Sequence, residues 1–325
     1  MTEFELIARL TESLPHNPTV VIGAGDDCAV LDLGIRDRWV LFKTDAVVEG
    51  VHFLPETKPE QIGRKALARC LSDIAAMGGE PGSALITLGI PAHHDPTRLE
   101  AVYAGMKTLA AQHGVAIVGG ETTTISHGML ISIALLGTVE KKQCVLRSGA
   151  KAGDAIFVTG ELGGSRAGKH LDFEPRLAEA RWLATHFAPH AMIDLSDGLA
   201  GDLPHILKAS GVGAEVLAEA IPISRAARLQ ARQSRLTAAT PDATPSQPAK
   251  APLLAALTDG EDFELLFTIA SARSVPLLDA WKKAFPDLRL SCIGKITAET
   301  GLRVRNRKGL APLQAHGYTH FPQPG

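Results

Sequence analysis

Short apolar runs, bounded by glycine, proline and charged residues, predict strands and helices along the chain. The runs at 20–22 and 40–42 predict strands, and the polar residues at 43–45 predict a turn after the second strand. Pro59 predicts the start of a helix, because apolar residues then recur at helical spacing until the glycines at 78–79.

The alternation of strands and helices continues through the second half of the chain. A helix is expected to begin at Pro96, and another to end at Gly211. Further strand patterns occur at 83–90, 115–124, 129–139, 155–158, 191–194, 259–269 and 290–296. This alternation predicts an α/β or α+β protein of two lobes. We expect the domains to be 1–147 and 148–325.

Composition excludes several classes of protein. The 325 residues exceed the size of a single growing core, the net charge is -2 and 45% of residues are hydrophobic. The chain lacks the excess of basic residues that is typical of nucleic-acid-binding proteins. No stretch resembles a signal peptide or a membrane span. The four cysteines form no CxxC pair, so we expect reduced thiols and a cytoplasmic location. They are Cys28, Cys70, Cys144 and Cys292.

The segment 231–252 is rich in alanine, threonine, proline and serine and nearly lacks large apolar residues. Such a segment buries little surface to offset its ordering entropy. It is therefore interpreted as a flexible insertion.

The stretch GGSRAGKH at 163–170 partly matches a P-loop. A P-loop requires serine or threonine after the lysine to hold Mg²⁺, and here that position is His170. A glycine-rich turn leading into a helix is the preferred interpretation.

Carboxylates recur at strand ends or beside glycine. Each has an ordinary explanation as a turn, cap or solvated residue. If the fold brings them together unpaired, they repel, and divalent ions must neutralise them. Mg²⁺ with triphosphate fits this chemistry, and Asp45→Asn is expected to leave stability unchanged or higher. The carboxylates are Asp26, Asp27, Asp45, Asp73, Glu121, Asp194, Asp197, Glu261 and Asp262.

Seven motifs occur in one order across nearly the whole chain: GDDCAV, TDxxxxGVHF, LSDIAAMG, GGETT, LRSGAKAGD, IDLSDGL and GEDFELLF. Together they closely resemble the thiamine-monophosphate kinases, of the superfamily that includes aminoimidazole ribonucleotide synthetase and selenophosphate synthetase. The resemblance implies a two-lobed aminoimidazole ribonucleotide synthetase-like fold, whose N-terminal lobes form a β-barrel across a homodimer. It also implies ATP-dependent phosphorylation of thiamine monophosphate.

The resemblance implies a role for each matching residue. Asp26 is left to shape the turn, and Asp45 and Asp197 are expected to matter most. The implied Mg²⁺ ligands are Asp27, Thr44, Asp45, Asp73, Glu121, Asp194 and Asp197. The implied ATP contacts are Gly120, Glu121, Arg147 and Ser196, and the implied substrate contacts are His52 and Glu261.

The sequence contains no recognisable Ser-His-Asp or Cys-His arrangement, and the implied reaction needs none. A phosphate monoester is largely a dianion at neutral pH and can attack ATP without a general base. What remains is to position and neutralise two anions, which Mg²⁺ and Arg147 can do. From the residues alone, each of these assignments has an ordinary alternative. Arg147 could be a surface arginine, and His52 could be a histidine packed at a strand end.

The chain departs from the family pattern mainly on the acceptor side. Glu121 replaces the usual aspartate, Lys43 stands where a small hydroxyl residue is common, and Cys70 replaces asparagine. Ala315 stands where some relatives place an aromatic residue, and the segment 168–191 is shorter than usual.

Two alternatives remain open. One is another ATP-using enzyme of the superfamily with a different acceptor, and the other is a nucleotide-binding homologue without catalysis. No cysteine precedes Cys28, which argues against the selenophosphate branch.

Overall fold

The computed structural model describes residues 3–238, 250–313 and 317–318. The chain has a mixed α/β fold that divides into two compact units. The first unit comprises residues 18–144 and 170–185, and the second comprises 1–17, 145–169 and 186–325.

The elements of the first part of the chain confirm most predicted positions. They are α1 (Glu3–Thr11), β1 (Val20–Ile22), β2 (Ala29–Leu31), β3 (Arg38–Val48), α2 (Pro59–Ala76), β4 (Glu80–Ile90), α3 (Pro96–Gln112), β5 (Ala116–Thr124) and β6 (Leu130–Glu140).

The elements of the remaining chain follow in order. They are β7 (Asp154–Thr159), α4 (Lys169–Asp172), α5 (Leu177–His186), β8 (Ala191–Asp194), α6 (Leu199–Ser210), β9 (Gly213–Leu217), α7 (Arg225–Ala238), α8 (Pro252–Thr258), β10 (Leu265–Ala270), α9 (Ser274–Ala284), β11 (Leu290–Thr297), β12 (Gly301–Asn306) and β13 (Gly309–Pro312).

The first unit is a six-stranded sheet of order β1-β2-β3-β6-β4-β5, with α2 packed on β3, β6 and β4. Only β4 and β5 pair in parallel among these strands. Side chains alternate across the sheet, so Leu41 of β3 and Ile133 of β6 are buried on the helix-covered face. Ile74 of α2 completes this core.

The opposite face of this sheet carries exposed apolar side chains. Phe42 of β3 and Leu136 of β6 are direct cross-strand partners and are 44% and 42% exposed. Leu85 of β4 and Val118 of β5 are also exposed. Antiparallel sheets often present one face to water, but that face is normally polar.

Strand β3 corrects the turn expected at 43–45, because pairing with β6 runs through these residues without interruption. The polar residues remain in the strand because Lys43 and Asp45 find partners of opposite charge on α2. A polar run therefore marks charged contacts here rather than a chain reversal.

Helices α2 and α3 approach each other closely at two glycines. A Cβ on Gly63 would lie 1.8 Å from the carbonyl oxygen of Val102, and one on Gly105 would lie 1.9 Å from that of Glu60. Both positions therefore require glycine for packing.

The second unit holds a sheet of order β13-β12-β9-β11-β7-β10-β8 among its described residues. The pairing is antiparallel except between β9 and β12. Every residue of β7 is buried, so both faces of the sheet centre are covered. On one face Ile156 joins Ile193 of β8 and Leu203 of α6 in a continuous core.

The glycine-rich turn after β7 binds carboxylates of this chain. The N–H of Gly163 donates to both carboxylate oxygens of Asp262 at 3.0 Å, and that of Gly164 donates to Asp259 at 2.9 Å. Lys169 pairs with Glu264 at 2.8 Å. The groups that a P-loop would direct at phosphate are thus engaged within the protein.

The expected flexible insertion at 231–252 is wrong at both ends. Helix α7 continues to residue 238 with Ala231 buried, and Pro252 begins α8. Alanine, arginine, glutamine and leucine are strong helix formers, so a shortage of apolar bulk did not exclude a helix. Residues 239–249 of this segment lie outside the described residues.

Two findings bear on the compartment and membrane expectations. All four cysteines are free. Within the described residues, none of the helices combines the length and the apolar character that a membrane span requires.

The glycine contacts between α2 and α3 give a stability prediction. Gly105→Ala should lower the free energy of unfolding by about 1–3 kcal/mol, because the clash with a backbone carbonyl outweighs the gain of about 1 kcal/mol in helix propensity. Urea denaturation measures this, with Ala104→Ser as a control that adds one atom at an exposed neighbouring position. Equal or higher stability of Gly105→Ala would contradict the close approach.

The buried Asp262 gives a pH prediction. Burial raises its pKa to about 7, although Lys169 and the Gly163 N–H oppose the rise. Since the folded pKa exceeds the unfolded value, the native state holds the proton more tightly. The stabilisation from this group is present below about pH 4 and is lost as the pH rises through about 7.

Between pH 5 and pH 8, wild-type unfolding midpoints in urea should therefore fall relative to those of Asp262→Asn, whose side chain resembles the protonated acid. The exposed residue Asp287 provides the control, since Asp287→Asn should follow the wild-type curve. Parallel pH curves for wild type and Asp262→Asn would refute the assignment.

Candidate active site

Two acidic residues of the first unit lie close together. Asp27 follows β1 and Asp73 lies on α2, and both are buried. One carboxylate oxygen of each lies within 4.8 Å of the other. Asp26 accepts a hydrogen bond from the N–H of Asp27 at 3.0 Å, which shapes the turn. Paired carboxylate oxygens at this separation fit a hard divalent cation after small adjustments.

The expected set of unpaired carboxylates is wrong for two of its members. The ammonium nitrogen of Lys43 lies 2.9 Å from Oδ1 of Asp73. The guanidinium of Arg69 donates to both oxygens of Asp45, at 2.8 and 3.2 Å. Burial would raise the pKa of Asp45, but Arg69 and then Lys43 outweigh it, and this pKa is lowered. Repulsion among these acids is therefore neutralised by the protein itself.

Helix α2 supplies functional candidates that the sequence interpretation missed. Lys65, Arg69 and Asp73 are spaced four residues apart and therefore lie along one side of the helix. Lys65 is fully buried and Arg69 nearly so. The sequence did carry a signal for this row, because these charged residues recur at helical spacing next to the apolar positions of the same helix, such as Ile62.

His52 lies in the loop after β3, where two of its atoms accept hydrogen bonds. Its Nδ1 accepts a hydrogen bond from the N–H of Val48 at 3.0 Å, so the neutral ring carries its proton on Nε2. Its carbonyl oxygen accepts from Nζ of Lys65 at 2.5 Å. The same Nζ lies 2.7 Å from Nδ1 of His170. Lys65 therefore fixes the loop that carries His52.

The other predicted residues of the first unit lie on β3 and β5. Thr44 follows the strand alternation and faces away from Asp45, with its hydroxyl 3.4 Å from that of Ser132. Glu121 is exposed in the middle of β5, and one of its carboxylate oxygens accepts from the N–H of Thr122 at 3.0 Å. Gly120 requires glycine, because a Cβ there would lie 1.8 Å from a carbonyl oxygen of β4.

In the second unit, the end of β8 presents Asp194 followed by Ser196 and Asp197. Asp194 is buried at the strand end. Asp202 of α6 accepts from the N–H of Asp197 at 3.0 Å and supports this turn. Burial, then the charges of Asp197 and Asp194, raise the pKa of Asp202 well above its usual value. Asp202 is a further residue that the sequence interpretation missed.

The loop before β10 is strained and tied to the same turn. Glu261 and Phe263 have φ of 55° and 50°, a conformation that residues with side chains rarely adopt. The N–H of Glu261 donates to the carbonyl oxygen of Ser196 at 2.7 Å, and that of Phe263 to Leu195 at 2.8 Å. Strain of this kind concentrates at functional sites.

Arg147 and Tyr318 complete the surroundings in the second unit. The carbonyl oxygen of Arg147 accepts from the hydroxyl of Ser210 at 3.4 Å. The N–H of Tyr318 donates to the carbonyl oxygen of Asp197 at 2.9 Å, and its ring lies under Arg166, 5.3 Å from the guanidinium carbon. Arg166 was not singled out from the sequence. Ala315 lies outside the described residues.

Comparison with known proteins identifies relatives along the whole chain. Residues 25–139 match the family described as AIR synthase related protein, N-terminal domain. A thiamine-monophosphate kinase of Rhodopirellula baltica is 41% identical over 307 residues, covering 92% of this chain and 91% of the relative. That of Bacillus subtilis is 33% identical, covering 99% and 100%.

Solved structures agree with these relatives. The structure of AaThiL complexed with AMPPCP and TMP has a TM-score of 0.79 at 30% identity and covers 98% of this chain and 97% of that one. A thiamine monophosphate kinase structure from Aquifex aeolicus has a TM-score of 0.71 at 30% identity, covering 93% and 95%. These matches span both units, so the chain belongs to the thiamine-monophosphate kinase family.

Proposed function

We propose that this protein transfers the γ-phosphoryl group of ATP to the phosphate of thiamine monophosphate, forming thiamine diphosphate and ADP. The observation that carries this proposal is the likeness over 98% of the chain to a structure solved with AMPPCP and TMP. The N–H groups of the glycines at 163–164 already donate to carboxylates of this chain, which supports placing ATP away from this turn.

Magnesium is part of the proposal, since the Asp27–Asp73 pair fits a divalent cation. Bound Mg²⁺ supplies positive charge to the phosphate oxygens. In the first unit the proposed ligands are Asp27, Asp45, Asp73 and Glu121. Thr44 is proposed as a ligand through its main-chain oxygen, because its hydroxyl is on the other face of β3 from Asp45. In the second unit they are Asp194 and Asp197. Arg69 and Lys43 hold two of these carboxylates in fixed orientations.

The chain's own residues have the tasks of binding and orientation. The attacking phosphate is already a dianion at neutral pH, so no side chain has to remove a proton from it. His52 offers an Nε2–H donor, which suits a phosphate oxygen. We assign His52 and Glu261 to the acceptor. We assign Gly120, Glu121, Arg147 and Ser196 to ATP.

A homodimer is the second part of the proposal. The open face of the first unit's sheet exposes Phe42, Leu85, Val118 and Leu136. Among the strands that the structure describes, β5 lies at an unpaired edge of that sheet. An apolar sheet face and a free edge are both surfaces that proteins normally cover. A β-barrel formed with the same unit of a second copy would cover both.

The division into functional domains at 1–147 and 148–325 and a cytoplasmic location also remain proposals. Free thiols at all four cysteines support a reducing compartment.

Asp45→Asn tests the metal assignment. We expect turnover to be lost, because a ligand charge is removed. We also expect the free energy of unfolding to fall by about 1–3 kcal/mol, because Arg69 loses its charged partner in a largely buried site. The contact with Arg69 therefore reverses the expectation from the sequence that stability would be unchanged or higher.

The measurements are ADP release at limiting Mg²⁺ and urea denaturation. Asp32→Asn is the matched control, because Asp32 pairs with Lys141 at 2.8 Å in the same unit and has no assigned role. Near wild-type turnover of Asp45→Asn at limiting Mg²⁺ would show the assignment to be wrong.

The acceptor provides a separate prediction. Free thiamine lacks the phosphate that serves as both anchor and nucleophile, and loss of orientation alone can cost about 7 kcal/mol or more. We therefore expect thiamine diphosphate from the monophosphate and no detectable phosphorylation of free thiamine, measured by chromatography of the products.

Variants of the acceptor residues extend this test. His52→Ala and Glu261→Gln should raise KM for thiamine monophosphate more than KM for ATP, whereas exposed His16→Ala should change neither. ADP release that is indifferent to any thiamine compound would favour another acceptor.

A further inference from the structure

Lys43 lies within the acidic group of the first unit. Its side chain is on the helix-covered face of β3, with only 24% of its side-chain surface exposed. Its ammonium nitrogen lies 2.9 Å from Oδ1 of Asp73, whose side chain is 9% exposed. A lysine on the protein surface normally extends its ammonium group into water. The Lys43 side chain instead turns inward and forms a specific ion pair with Asp73.

The carboxylates around Lys43 fall into two groups, Asp45 on one side and the Asp27–Asp73 pair on the other. Nε and Nη2 of Arg69 donate to the two carboxylate oxygens of Asp45. Asp27 and Asp73 remain as the carboxylate pair whose oxygens lie within 4.8 Å, and Lys43 contributes one positive charge to that pair. The pair with Lys43 therefore carries one net negative charge instead of two.

We propose that Lys43 is a built-in competitor for divalent cations at the Asp27–Asp73 pair. The ammonium of Lys43 already lies against Oδ1 of Asp73, so a divalent ion bound by the same carboxylate would be a second cation close to it. Two cations this close repel each other. Metal binding to the Asp27–Asp73 pair therefore requires the ammonium to move away, which weakens the affinity for free metal.

This inference rests on the metal ligands assigned under the proposed function. It adds that the affinity of one metal position is set by a side chain that is not itself a ligand. The physiological consequence is that this position loads at a higher free cation concentration than the carboxylates alone would require.

Mn²⁺ binding without nucleotide tests the inference, because Mn²⁺ takes the same oxygen ligands as Mg²⁺ and its free form is measured by electron paramagnetic resonance. Lys43→Met keeps the length of the side chain and removes the charge. We expect it to bind Mn²⁺ at least tenfold more tightly than wild type, whereas Lys43→Arg should stay close to wild type. Lys43→Gln is the second neutral variant if Lys43→Met does not fold.

Lys141→Met is the matched control, because Lys141 pairs with Asp32 at 2.8 Å in the same unit. It should leave Mn²⁺ affinity unchanged. Unchanged affinity in both neutral Lys43 variants, with altered stability alone, would show a purely structural role and overturn the inference.

Asp73→Asn separates this inference from the proposed metal site. It should weaken Mn²⁺ binding in the Lys43→Met background. If Asp73→Asn has no effect there, or if no variant binds Mn²⁺, the metal assignment fails and the inference fails with it. If Asp73→Asn weakens binding but Lys43→Met does not strengthen it, only the inference about Lys43 fails.

Discussion

Two largely buried ion pairs between strand β3 and helix α2 are the constraint on which the first unit depends. Lys43 and Asp45 are two residues apart on the strand, which is about 6.6 Å. Asp73 and Arg69 are four residues apart on the helix, which is about 6 Å. Because these repeats nearly match, each strand charge meets an opposite helix charge. Pairing with an opposite charge thus offsets the desolvation penalty of placing these residues under the helix.

The same pairs determine how the acidic site behaves without its ligands. Asp45 and Asp73 are held by cations of the protein, so the fold does not require a metal to offset their repulsion. At the proposed metal site, binding a divalent ion would be an exchange of partners, and each carboxylate already points in a defined direction. Fixed orientation favours precise positioning, while the competing cations reduce affinity. The two effects arise from the same contacts and cannot be optimised independently.

The sequence predicted helix α2 and most strands because their signals are local, such as Pro59 and a regular apolar spacing. The prediction of a turn at 43–45 was wrong, because the residues that keep this polar run in a strand, Arg69 and Asp73, belong to helix α2 and are distant in sequence. The sequence named Glu261 through a motif but could not show the strain there, since φ of 55° depends on how the loop is tied to Ser196. The end of helix α7 was missed because a shortage of large apolar residues indicates little burial, whereas helix formation also depends on the intrinsic propensity of residues such as alanine and arginine.

The glycines show most clearly why motif and geometry must be separated. Gly163 and Gly164 resemble a phosphate-binding turn, yet their N–H groups donate to Asp262 and Asp259. Gly120 is required inside β5 because a side chain would meet the backbone of the neighbouring strand, and this requirement does not depend on a ligand. Glycine thus marks close approach of the backbone to some acceptor or surface. Only the three-dimensional structure shows whether that neighbour belongs to the protein. At 163–164 it does, because the acceptors are carboxylates of this chain.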